Sequence, residues 1–204
     1  MKTKLLIISD THDNMRALSE IINIIEKDEI DTVIHCGDHV SPFSFNKLAS
    51  TPRIKHLYTT LGNNEGEIFK IVSDYLKDYQ GKITLHKDFI FADIDSVGFL
   101  ITHGWGDVKT TRRIIQSLGK SGDYKFIIFG HTHIPELTFI TYDNSAITRV
   151  RGEIPNHTIQ THIDEYKSII INPGELSGWL SGKKTYVILE IMEKNVRIMF
   201  KSIP

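Results

Sequence analysis

At 204 residues the chain is long enough to bury a core without metal or disulfide staples, so any metal here points to catalysis rather than to holding a small fold together. Its 24 basic and 25 acidic residues nearly cancel, which argues against a large basic face for duplex nucleic acid. One cysteine, Cys36, excludes an internal disulfide, and no apolar run approaches the length that spans a bilayer, so a cytoplasmic protein off the membrane is expected.

Residues 5–8 form a continuous apolar run, as expected of a strand buried on both faces. That run is too short for the core of a secretory leader. Residues 14–28 place Leu18, Ile21, Ile22 and Ile25 on one helical stripe. A strand is expected at 32–34, a short helix at 42–49 and a strand at 55–61. A helix follows at 65–78, with Ile68, Ile71, Val72 and Tyr75 on one face. Strands at 82–86, 89–94 and 97–102 precede a helix over 108–119, stopped by Gly119 and Gly122. Further strands are expected at 126–129, 137–142, 168–171, 184–191 and 195–201, the last two joined by a hairpin turn at Lys194-Asn195. Between them, 143–167 holds a turn signal, a possible strand at 146–151, a Pro-containing turn and an alternating run at 157–163. These read as a β-hairpin inserted at about 143–167 in one domain spanning 1–204. Helices early and strands late suggest a layered α/β protein with more than one sheet.

Five of the apolar runs end in potential metal ligands. The first leads to Asp10 and His12, the second to Asp38, the third to Asn63, the run at 98–102 to His103, and that at 126–129 to His131 and His133. Ligands of α/β sheets bind beyond the carboxyl ends of the strands, so strands that share a sheet would bring these seven side chains together. Asp10-x-His12 and His131-x-His133 point to one side if their backbone is extended. Glycines at 37, 62, 104 and 130 leave room for tight turns. A lone Asp or Asn after a strand is usually a turn residue, but five strand ends loaded with Asp, Asn and His are not explained by turn chemistry. Four imidazoles, two carboxylates and an amide, without thiolate, suit manganese foremost, then nickel, iron, zinc or cobalt; magnesium alone is disfavoured. Seven donors exceed one tetrahedral site and imply two divalent ions per chain.

The strings Asp10-Thr11-His12, Gly37-Asp38, Gly62-Asn63-Asn64-Glu65, His103-Gly104 and Gly130-His131-Thr132-His133 resemble, in order, the motifs of the calcineurin-like metallophosphoesterase family. Ser9–Asn14 and Asn172-Pro173-Gly174-Glu175 resemble its compact prokaryotic YfcE-like phosphodiesterase branch. The resemblance implies a four-layer α/β/β/α sandwich of two mixed sheets flanked by helices. It implies that Asp10, His12 and His133 hold one ion, that Asn63, His103 and His131 hold the other, and that Asp38 bridges them. A hydroxide bridging the two ions would attack small, nucleotide-like phosphodiesters, with Asn63 and Asn64 near the phosphate. Many family members carry a histidine where this chain has Asn64, and an amide cannot serve as a general acid. That help would have to come from His39, Glu65 or a metal-bound water. Some proteins of this fold act as protein-binding scaffolds; the filled ligand set favours an enzyme.

The remaining candidates carry plainer readings. His35 is expected as a core histidine, while His39, which follows Asp38, is left open between packing and facing a substrate. His56, His86, His157 and His162 read as surface residues, and Arg149 and Arg151 as solvated or in contact with substrate or a second subunit. Glu175 either orients a ligand histidine or closes a turn, Trp105 either walls a pocket or packs, and Cys36 fills a small buried space. Exposed late strands would suit a homo-oligomer.

Overall fold

The computed structural model describes residues 2–155 and 157–204. The first part of the chain runs β1 (Lys2–Ile8), α1 (Met15–Lys27), β2 (Thr32–His35), α2 (Pro42–Ala49), β3 (His56–Thr60), α3 (Ile68–Asp74) and β4 (Ile83–His86). Then come β5 (Phe89–Ile94), β6 (Val97–Thr102), α4 (Val108–Ser121), β7 (Phe126–Ile128) and β8 (Glu136–Ile140). The chain closes with β9 (Ala146–Arg151), β10 (Ile159–His162), β11 (Ser168–Asn172), β12 (Lys184–Met192) and β13 (Asn195–Ile203).

Two mixed sheets result. One has the order β10-β13-β12-β1-β2-β3-β4, the other β5-β6-β7-β11-β8-β9. Alternation along each strand sorts side chains to opposite faces and so builds the layers. Leu5, Ile7, Ile34, Phe126, Ile128, Ile169, Ile171, Val187 and Leu189 meet between the sheets. Their neighbours Leu6, Ile8, Val33 and Ile188 face outward and pack on Leu18, Ile21 and Ile25 of α1 and Phe45 and Leu48 of α2. On the other side Ile127, Phe129 and Ile170 pack on Ile115 of α4. Each such buried Leu, Ile or Phe contributes roughly 1.5–3 kcal/mol relative to exposure. The order of layers is helix, sheet, sheet, helix, as the resemblance implies. Among the described residues no helix is long and apolar enough to cross a membrane.

The structure departs from the sequence reading in four places. Gly119 does not stop α4: the helix continues to Ser121 and ends on Gly122 at φ +77°. Gly119 is buried against the sheet, where a Cβ would come within 2.9 Å of Ile140 and Ser168, so its lack of a side chain lets α4 lie close. The helix expected at 65–78 begins only at Ile68 and passes into a π turn at Tyr75–Tyr79, and the Glu65 carboxylate is bonded to backbone N–H groups of His39 and Val40 instead of starting the helix. The final hairpin turns at Glu193 and Lys194, with Met192 opposite Asn195 and Glu193 at φ +57°. The segment 143–167 is not a hairpin closed on itself. β9 pairs with β8 at the edge of one sheet and β10 with β13 at the edge of the other. Val150 of β9 and Ile163, in the turn just after β10, are both buried in the shared core.

Candidate metal centre

β1, β2 and β3 are parallel neighbours in one sheet, and β6 and β7 in the other, so their carboxyl ends lie on common edges. The loops leaving those ends carry the seven expected donors. Asp10, His12, Asp38 and His133 form one group, their ligand atoms all within 4.8 Å of one another. Within it, His133 Nε2 lies 3.3 Å from Asp10 Oδ1, and His12 Nε2 lies 3.4 Å from Asp38 Oδ2. Asn63 Oδ1 lies 3.0 Å from His103 Nε2 and 2.8 Å from His131 Nδ1. Asp38 sits between the two groups, its Oδ1 3.5 Å from His103 Nε2 and its Oδ2 toward His12. Asp10 Oδ1 and His12 Nε2 are buried without a hydrogen-bond partner. Buried polar atoms are rarely left so, and a cation among them satisfies both. The donor set therefore fits a divalent metal.

The second nitrogen of three imidazoles is engaged behind the site. His103 donates from Nδ1 to the Cys36 carbonyl (2.6 Å), His131 from Nε2 to the Gly106 carbonyl (2.6 Å), and His133 from Nδ1 to Glu175 Oε2 (3.1 Å). These bonds set the tautomer and turn the free nitrogen of each ring inward. Charge follows the same geometry. Burial pushes the Asp10 carboxyl up, against the pull of His103 and His133. Burial also acts to raise Asp38, but the facing His103 and two bonds from Asn64 outweigh it and hold that carboxyl below the usual range. Burial disfavours the charged form of His103, yet Asp38 and Asp10 win and raise it to about 9. A dication would displace that proton.

The loops are tied together more tightly than spacing alone reveals. Asp10 and His12 donate their backbone N–H groups to Gly37 and Asp38 carbonyls, each at 3.0 Å, and His131 N donates to Asp10 Oδ2 at 3.0 Å. The extended backbone expected at both Asp/His-x-His pairs is absent. Asp10, His12, Asp38, His131 and His133 all have positive φ, between +42° and +65°. Strain of this kind costs of order 1–3 kcal/mol per residue and persists only where the surroundings enforce it. Glycine is required where these loops touch: a Cβ on Gly62 would lie 2.4 Å from the Asp38 backbone nitrogen, and one on Gly130 1.9 Å from Ser9 Oγ.

Two carboxylates that sequence reasoning left open serve the scaffold. Glu65 accepts from the backbone N–H groups of His39 (3.1 Å), Val40 (2.8 Å) and Gly62 (3.1 Å). Glu175 accepts from His133, Ser177 Oγ and the N–H groups of Trp179, Leu180 and Ser181. Asn172 donates to the Gly130 carbonyl (2.8 Å) and Thr132 Oγ1 (3.1 Å), which anchors the His131–His133 loop. Asn64 donates its backbone N–H to Asp38 Oδ1 (2.8 Å) and its amide to Oδ2 (2.7 Å).

His39 does not face a substrate. It is 1% exposed, stacks on His35 with ring centroids 3.7 Å apart, and bonds Thr59 Oγ1 at 2.8 Å. His35 bonds Thr11 Oγ1 at 2.7 Å, and burial holds both rings below the ordinary histidine range, hence neutral. Trp105 lines a cavity of about 190 Å³ beside Asn63 and His103 and packs on Phe89. Cys36 is buried, with its thiol pushed well up. His56, His86, His157, Arg149 and Arg151 are exposed, and His162 is half-buried, accepting from Asp164 N.

Residues 3–194 match the family model for the calcineurin-like phosphoesterase superfamily domain. The chain is 33% identical over 194 residues to phosphodiesterase MJ0936 of Methanocaldococcus jannaschii, covering 95% of this chain and 96% of that one. It is similar to the solved structure of an archaeal phosphodiesterase, with TM-score 0.69 and 30% identity over 98% of this chain and all of that one. The fold is shared with YfcE, a phosphoesterase from E. coli, at TM-score 0.53 and 16% identity over 92% and 88% of the two chains.

Proposed function

Because the chain belongs to the calcineurin-like phosphoesterase superfamily, we propose that it is a metal-dependent phosphodiesterase acting on small, nucleotide-like phosphodiesters. The observation that carries the reading is Asp38, a single carboxylate with one oxygen toward each of two donor groups. Asp10, His12 and His133 would hold one divalent ion, Asn63, His103 and His131 a second, and Asp38 both. When bound, such ions lower the pKa of water to supply a nucleophile and screen charge on phosphorus. Manganese, nickel, iron, zinc and cobalt suit the donors.

The chain's own residues position and exclude. The Cys36 and Gly106 carbonyls and Glu175 aim three imidazoles. Asn64 holds both oxygens of Asp38, which fixes the shared ligand. Asn63 is exposed and would contact the phosphate. None of these groups protonates the leaving oxygen: Asn64 is an amide, Glu65 is taken up by three backbone N–H groups, and His39 is buried. Diesters with good leaving groups are therefore the favoured substrates.

The test is a turnover screen of the protein loaded in turn with each metal, across mono- and diesters, with elemental analysis alongside. Two ions per chain and faster turnover of diesters are expected. A protein inert with every metal overturns the reading and leaves the protein-binding scaffold of the same fold.

A further inference from the structure

The loop between β11 and β12 carries two large apolar side chains in solvent, Trp179 at 68% and Leu180 at 77% exposure. Single exposed apolar residues need no explanation, but these are adjacent and stand at the rim of the donor cluster. The Trp179 ring centroid lies 6.1 Å from that of His12, tilted by 32°, and His12 in turn stacks on His133 at 5.1 Å.

The exposure is not that of a loose loop. The N–H groups of Trp179, Leu180 and Ser181 converge on Glu175, the carboxylate that also receives His133. Leu176 N and Ser177 N donate to the Ser9 and Asp10 carbonyls at 2.9 and 3.0 Å. Asn14 donates from its side chain to the Ser177 carbonyl at 2.8 Å. The backbone that presents the indole is thus anchored to the same segments that present Asp10 and His133. Glu175 is fully buried and spends its hydrogen-bonding capacity on holding this loop beside a ligand histidine.

Resting on the reading of the cluster as a phosphodiesterase centre, we infer that Trp179, edged by Leu180, is a specificity-determining residue that stacks against a planar aromatic group of the substrate, such as a nucleobase. An indole has a hydrophobic face and a π-surface, and stacking tolerates any flat ring, so the class recognised is nucleoside or aryl phosphoester rather than one base. A phosphate at the cluster leaves its attached group within reach of a ring one side chain away from His12.

Calorimetric binding of adenosine 5′-monophosphate and of ribose 5-phosphate to the metal-loaded protein tests this, because the two share the phosphate and sugar and differ in the base. Base stacking predicts that the parent binds the nucleotide about 5- to 150-fold more tightly. Trp179→Ala should bring the two affinities together while leaving ribose 5-phosphate affinity and metal content as in the parent. Trp179→Phe should restore most of the preference. A preference that survives Trp179→Ala, or a parent that shows none, overturns the inference. A parent that holds no metal and binds neither ligand overturns instead the metal-centre reading beneath it.

Discussion

Replacing Gly62 by alanine should dismantle the centre without touching a ligand. Gly62 does not sit at positive φ, so alanine meets no backbone penalty there; the conflict is steric alone. Its Cβ would lie 1.9 Å from Asp38 Oδ1, 2.7 Å from Cγ and 2.4 Å from the backbone nitrogen. A new rotamer of Asp38 could relieve the first two contacts but not the third. The backbone around Asp38 must retreat until that nitrogen is past 3.0 Å, and it is held by His12 N on its carbonyl and by Glu65 on the next two N–H groups. Forcing an extra methyl into so packed a place costs about 1–3 kcal/mol. For a chain of this size that is a fall in Tm of roughly 2–12 °C. Displacement of the shared ligand on this scale is expected to cost on the order of 100-fold in kcat/KM. Gly98→Ala is the control, since its Cβ would find nothing closer than 3.8 Å. Elemental analysis, thermal unfolding and diester turnover read the three effects. A Gly62→Ala protein with parental metal content and turnover would refute either the role of Asp38 or the rigidity assigned to its loop.

Further outcomes follow from neighbouring groups. Asp38→Ala should lose both ions, whereas Asp10→Ala should lose chiefly one; elemental analysis that finds two ions in Asp38→Ala removes the shared-ligand assignment. With Asn64, Glu65 and His39 unable to serve as the acid, kcat/KM across a series of diesters should depend steeply on leaving-group pKa, and Asn64→His should flatten that dependence by up to the ~10²–10⁴-fold that general acids supply. A shallow dependence in the parent would show that an acid is already present. The buried neutral His35 and His39 have folded pKa values below their unfolded ones, so the unfolded chain binds more protons below about pH 6.5 and stability is lost as pH falls from there. Each contributes a slope of up to about 1.4 kcal/mol per pH unit. Denaturant titrations of metal-free protein between pH 7 and 5 should show a smaller loss in His35→Gln than in the parent, a difference that separates this effect from the opposing one of the raised Asp10 carboxyl.

The strands and the polar residues that stand at their ends were legible because both are local properties. Continuous apolar runs such as 126–129 mark strands covered on both faces, and a polar residue at the end of each run has one place to go. The pairing of the edge strands was not legible, because β9 joins β8 in one sheet while β10 joins β13 in the other, a choice that no alternation within 143–167 can reveal. The roles of Glu65 and Glu175 stayed open because an acidic residue after a Gly-containing turn reads the same whether it meets solvent or three N–H groups. His39 misled for the opposite reason: its neighbour Asp38 faces the cluster, but chain proximity does not carry a side chain through the turn, and the ring packs on His35 behind the loop.

The backbone of the donors was the least visible feature and has the most physical consequence. Asp10, His12, Asp38, His131 and His133 all occupy the left-handed region, where aspartate and histidine are tolerated better than most residues but still at a cost. A chain in that region turns sharply, so consecutive donors from one loop swing toward the same cluster instead of alternating across a strand. The conformation persists because neighbouring loops hold one another: Gly37 and Asp38 accept from the Asp10–His12 segment, Asp10 accepts from His131, and Glu65 and Glu175 gather the loops on either side. Strain and restraint are thus properties of the same contacts. The donor geometry is held by the protein's own contacts, and removing one restraint should loosen several donors together, so substitutions at Glu65 or Glu175 are expected to be as damaging to metal retention as substitutions at a proposed ligand.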